Sequence, residues 1–139
     1  MVGGQPQVLS IKFGEKMKAQ ILGIILLMVL PLKAENFPAE LNLYLERENS
    51  LLKVYLTCYN PTLETLDFKV SLKIIKKGPS GTSNVLQSKR IILSPKEKIK
   101  PMLGLLKIGP EDFYTIEVKV WNKERRLILE KTICSENER

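Results

Sequence analysis

The sequence predicts an all-β chain, folded as an immunoglobulin-like antiparallel β-sandwich of about seven strands. Three observations carry this: apolar and polar residues alternate with period two, turn signals recur roughly every ten residues, and no stretch keeps a convincing helical period. Alternation puts side chains of one kind on each face of a strand, as a sheet with one buried face requires.

The N-terminal part stands outside this pattern. Met17-Lys18 precedes an apolar run over residues 21–32, interrupted only by Gly23 and Pro31, and Lys33-Ala34 closes it. A basic start, about a dozen apolar residues and a small residue at the exit describe a secretory signal. The run falls short of the roughly 20 residues that a bilayer span needs, and no cysteine follows it to carry a lipid. Residues 1–34 therefore read as leader and signal peptide, with cleavage after Ala34 or within a residue or two of it. Residues 35–139 read as one exported β-sandwich domain without a membrane anchor.

Within that domain Leu41, Leu43 and Leu45 alternate with Asn42, Tyr44 and Glu46. Beyond a turn at Glu48-Asn49-Ser50, Leu52, Val54, Leu56 and Cys58 alternate with Lys53, Tyr55, Thr57 and Tyr59, completing a hairpin with one apolar face. Asn60-Pro61-Thr62 breaks it. A third strand turns Leu66, Phe68, Val70, Leu72 and Ile74 inward and Asp67, Lys69, Ser71 and Lys73 outward. Gly78-Pro79-Ser80-Gly81 is a turn, proline presetting φ and glycine closing it, and a fourth strand is expected over residues 84–93. Residues 96–103 read as a short edge strand or a break, because Pro101 cannot donate to a ladder. Ile108-Gly109-Pro110-Glu111-Asp112 turns into a sixth strand with Tyr114, Ile116, Val118 and Val120 on one face, and residues 126–133 make the last. Tyr114 suits either a tyrosine corner bonded to the preceding turn or an ordinary core position.

The chain has 139 residues, with 22 Lys plus Arg, 15 Asp plus Glu, no His and two Cys. Without histidine there is no His-based general base, no Ser-His or Cys-His nucleophile pair and no His-ligated zinc. No enzymatic activity, cofactor or metal is therefore expected. Residues 35–139 keep 18 basic against 14 acidic residues, a net of +4, too mild and too poor in interleaved aromatics for nucleic acid. The lysines are nevertheless patterned. Lys69 and Lys73 share the outer face of the third strand, Lys96, Lys98 and Lys100 share a face of the fifth segment, and Lys76, Lys77, Lys89 and Arg90 crowd the strand ends between. Two readings stay open: a solvated face that discourages edge-to-edge association, or a positive surface for a partner that docks along an edge by strand addition. Cys58 and Cys134 lie too far apart for a CxxC pair. They suit a structural disulfide, which export into an oxidising compartment favours and which would contribute roughly 4 kcal/mol, two free thiols, or a widely spaced exchange pair.

The stretch Gly78-Pro79-Ser80-Gly81-Thr82-Ser83-Asn84-Val85-Leu86-Gln87-Ser88, then Leu93-Ser94-Pro95-Lys96-Glu97, then Ile108-Gly109-Pro110-Glu111-Asp112-Phe113-Tyr114, resembles the curli-assembly family CsgH. The likeness spans roughly residues 41–130 and departs from the family pattern at Lys89 and at Lys96-Glu97. It implies a small periplasmic β-sandwich, monomeric and non-enzymatic, that binds curli-type amyloid subunits and keeps them unpolymerised until secretion. On that reading Ser80, Thr82, Ser83 and Gln87 could pair with polar side chains of the subunit, and Lys69, Lys73, Lys96 and Lys98 form the basic surface beside them. The alternative for residues 80–87 is a structural turn whose hydroxyls satisfy local backbone groups. Two other functions compete: a structural or adhesive module of a surface fibre, and a thiol-exchange partner.

Overall fold

Period-two alternation becomes a strand wherever it was expected after residue 35. The computed structural model describes residues 10–13, 26–79 and 81–135. The strands are β1 (Ser10–Phe13), β2 (Leu26–Leu32), β3 (Glu40–Glu48), β4 (Leu51–Tyr59), β5 (Leu66–Gly78), β6 (Gly81–Leu93), β7 (Lys98–Lys107), β8 (Phe113–Trp121) and β9 (Leu127–Ser135). They form a five-stranded sheet in the order β1-β9-β8-β5-β6 and a four-stranded sheet in the order β2-β3-β4-β7.

The expected seven strands correspond to β3–β9. Among them the first, second and fifth share one sheet, and the third, fourth, sixth and seventh share the other. Compared with a constant-type immunoglobulin domain, the fourth strand has changed sheets and pairs with the third. The count of seven is corrected by two further strands: β1, paired parallel with β9, and β2, paired antiparallel with β3. Both come from residues 1–34, and β2 is built from the apolar run that reads as a signal segment.

The inward rows meet between the sheets. Leu41, Leu43 and Leu45, then Leu52, Val54, Leu56 and Cys58, face Phe68, Val70, Leu72 and Ile74, with Tyr114, Ile116, Val118 and Val120 beside them. Each fully buried aliphatic side chain contributes about 1.5–3 kcal/mol relative to exposure. Tyr114 is a core residue at 2% exposure, and burial pushes its hydroxyl pKa up to about 12.

The fifth segment is corrected from a short piece to a ten-residue strand, and the reason lies at its proline. β7 is the edge of its sheet, and its register against β4 shifts between Leu56 and Cys58. Lys100 and Pro101 fall together in that irregularity, where no ladder donor is needed. Past it, Met102 and Gly104 turn inward. A β-carbon on Gly104 would stand 2.7 Å from Ile74 Cδ1, so β7 passes unusually close to the opposite sheet. Gly78 is required for the same kind of reason, since a β-carbon there would overlap the Asp112 carboxylate.

Candidate partner-binding surfaces

The residues singled out for partner binding are not gathered in one place. Lys69 and Lys73 lie on the outer face of the five-stranded sheet, where Lys69 sits over the Trp121 ring at 5.3 Å and Lys73 is opposite Glu117 on β8 and Leu86 on β6. Lys98 belongs to the other sheet, exposed on β7 opposite Tyr59. Lys96 is in the turn before it, with φ at 65°, and its ammonium donates to Pro61 O at 2.7 Å. Thr82 and Ser83 are exposed at the start of β6, opposite Lys77 and Lys76. Ser80 lies outside the described residues.

Gln87 has a structural partner. Its Nε2 donates to Leu103 O at 2.6 Å, and two positions along β6 Lys89 donates to Pro101 O at 3.2 Å. Both acceptors belong to β7, the edge of the opposite sheet. Edge strands carry unpaired backbone groups that invite further strands, and these two side chains occupy two of the carbonyls. The opposite open side of the sandwich is bridged in the same way, by Lys131 of β9 donating to Pro31 O of β2 at 3.3 Å.

The expected Cys58–Cys134 disulfide is corrected: both cysteines are free. Cys58 follows Leu52, Val54 and Leu56 in the inward row of β4 and is fully buried, which pushes its thiol pKa up to about 12. Cys134 is next to the inward Ile133, so it points out of the other sheet, beside Thr115 with Thr115 Oγ1 4.0 Å from its sulfur. A whole sheet separates the two directions. Two thiols should therefore label in unfolded, unreduced protein, and in the native protein Cys134 should label well before Cys58. Absence of label on the unfolded chain would restore the bridge.

The sequence reading missed the outer face of the four-stranded sheet. Tyr44 and Tyr55 occupy facing positions on β3 and β4 and stack at 4.7 Å with rings 2° from parallel. Lys100 and Lys53 stand 4.5 and 5.5 Å from the Tyr55 centroid, and Tyr55 OH donates to Glu46 Oε2 at 2.9 Å. Partial burial, then Glu46, raises the Tyr55 pKa. Val29, Leu51, Leu103 and Leu105 are exposed on the same face. The signal was present in the sequence, as the two tyrosines fall on the outward phase of adjacent strands.

No protein-family model matches the chain, and no curated protein matches it. Solved structures do. The E. coli curli protein CsgC is 18% identical and superposes with a TM-score of 0.54, over 68% of this chain and 96% of that one. The chain has the fold of CsgC. R. palustris CsgH is 11% identical with a TM-score of 0.46, covering 78% of this chain and 90% of that one. A Bacteroides uniformis β-glucuronidase is 15% identical with a TM-score of 0.44, over 78% of this chain but 12% of that one. The expectation of a curli-protein fold, drawn from the segments around Gln87 and Tyr114, is met at the level of the fold.

Proposed function

We propose that this protein is an exported, non-enzymatic β-sandwich that binds curli-type amyloid subunits in the periplasm and holds them unpolymerised before secretion. The CsgC-like fold carries this reading. The capped β7 edge supports it: an amyloid-forming chain grows by adding strands to free edges, and a protein that handles such chains is safer when its acceptors at Pro101 and Leu103 are occupied. The lysines support it too, as cations on both outer faces discourage incorporation into a fibre while attracting acidic segments. With Cys58 and Cys134 facing apart, thiol exchange has no paired sulfurs to work with. A fibre module remains the competitor, and it would self-associate.

The test is polymerisation of a purified curli repeat subunit followed by amyloid dye. Substoichiometric protein should lengthen the lag severalfold, since blocking a few nuclei suppresses far more polymer than one-to-one sequestration. Two double variants separate the faces: Lys69→Gln with Lys73→Gln, and Lys98→Gln with Lys100→Gln. One pair should shorten the lag toward that of subunit alone, with the loss largest at low salt because exposed charges are screened over about 8 Å at physiological ionic strength. Lys96 is left intact because its bond to Pro61 O holds a turn. An unaltered lag at every ratio of added protein would reject the reading.

A further inference from the structure

The apolar run that reads as a signal segment is also a strand of the fold, and the two roles together expose a site. β2 runs antiparallel to β3 with Met28 opposite Leu45, Leu30 opposite Leu43 and Leu32 opposite Leu41. Leu32 is buried in the core, Met28 and Leu30 pack against it, and Val29 and Pro31 face water. β2 is the outermost strand of its sheet, and Lys131 reaches across from β9 to its Pro31 carbonyl.

Cleavage after Ala34 removes this strand. β3 then becomes the edge, with unpaired backbone groups along its length and the flanks of Leu41, Leu43 and Leu45 uncovered. Lys131 loses the carbonyl it bonds. The entry to β3 stays fixed, because Phe37 packs edge-on against Phe68 at 5.1 Å. An edge of this kind is complementary to an extended chain, whose backbone supplies the ladder and whose alternate side chains fill the row of contacts.

We propose that in the processed protein the β3 edge is a docking site for an extended partner segment carrying aliphatic side chains at alternate positions, added antiparallel where β2 lies here. β2 itself defines the chemistry: three aliphatic groups spaced i, i+2 and i+4 toward the core, unrestricted residues on the outer face, and a carbonyl or carboxylate to meet Lys131. A second copy of the chain fits poorly. Antiparallel pairing of β3 with itself about Tyr44 sets Glu40 opposite Glu48 at both ends, and like charges directly opposite are destabilising. The inference rests on the export reading for removal of residues 1–34, and goes beyond it in naming the edge and the pattern it accepts.

The test uses protein exported with its own leader and collected from the periplasm. Intact mass reads the N terminus first: a chain beginning at Glu35 meets the export reading, and a chain that retains residues 26–34 overturns both that reading and the open edge. The probe is a fluorescent synthetic peptide of residues 26–34 with a dilysine tail, followed by anisotropy. The processed protein should bind it, at least tenfold more tightly than the same peptide with Leu30→Asp and Leu32→Asp, and bound peptide should slow amide exchange in β3. Lys131→Ala in the protein should weaken binding severalfold without changing its fold by circular dichroism. Equal binding of both peptides, no binding by a processed and folded protein, or a dimer that the peptide does not dissociate would each overturn the docking site while leaving the export reading intact.

Discussion

Replacing Asn60 by alanine should lower the unfolding free energy by about 3 kcal/mol, the sum of a lost buried hydrogen-bond set and carbonyls left unpaired. Asn60 is the only buried polar or charged residue among the described residues, at 0% exposure. Its Nδ2 is 2.6 Å from Glu64 O and 3.1 Å from both Leu93 O and Ser94 O. Its Oδ1 accepts from Thr62 N at 2.9 Å and Thr62 Oγ1 at 2.7 Å. Its backbone completes the junction, donating to Glu97 O and accepting from Lys96 N. One side chain thus ties the loop after β4 to the turn between β6 and β7, in different sheets. Asn60→Asp should cost more than alanine, since an ionised carboxylate cannot donate and would face three carbonyl oxygens. Urea unfolding with an unchanged slope checks both; an alanine variant within about 0.5 kcal/mol of the parent would show that water takes over these bonds.

Gly104→Leu should cost about 2–3 kcal/mol by overpacking. The first added carbon already stands 2.7 Å from Ile74 Cδ1, with Val85 Cγ1 at 3.9 Å, and the remaining carbons enter the same space. Ile74 is fully buried, so Ile74→Ala alone should cost about 2–5 kcal/mol through the cavity it leaves. Combined, the two should cost at least 1 kcal/mol less than the sum, because the leucine fills what the isoleucine vacates. Additive losses in the double-mutant cycle would mean that β7 moves away from the opposite sheet instead.

β3, β4, β5 and β8 were legible because each buries one face and exposes the other, so period two is written into the residues; β7 read as a short piece because of Pro101. β2 was not legible. Leu26–Leu32 has no polar residue on its outer face, and an unbroken apolar run does not distinguish a strand from an export signal. The disulfide could have been doubted from the sequence alone: Cys58 is in phase with Leu56, whereas Cys134 is out of phase with Ile133. Sequence separation and compartment outweighed that phase, and the phase decides which way a sulfur points. The roles of Gln87 and Lys89 were beyond reach, because they depend on which strand of the opposite sheet lies across from β6. Asn60 carried a local signal, an Asn followed two residues later by a hydroxyl residue, but its bonds to Leu93 and Ser94 need the assembled sandwich.

The strand order also sets the tempo at which the sandwich can be made. β3–β4, β5–β6 and β8–β9 are hairpins between neighbours in the chain, and such units close within microseconds. Neither sheet is finished by hairpins alone, because β7 must find β4, Tyr55 meeting Leu103, and β8 must find β5, Leu72 meeting Val118. Those pairings close long loops before any contact compensates the lost chain entropy, which places the topology among the slow folders, milliseconds to seconds. During that interval β4 and β5 each have one side of their backbone unpaired, so a newly made copy briefly presents strand edges that the finished molecule pairs with β7 and β8.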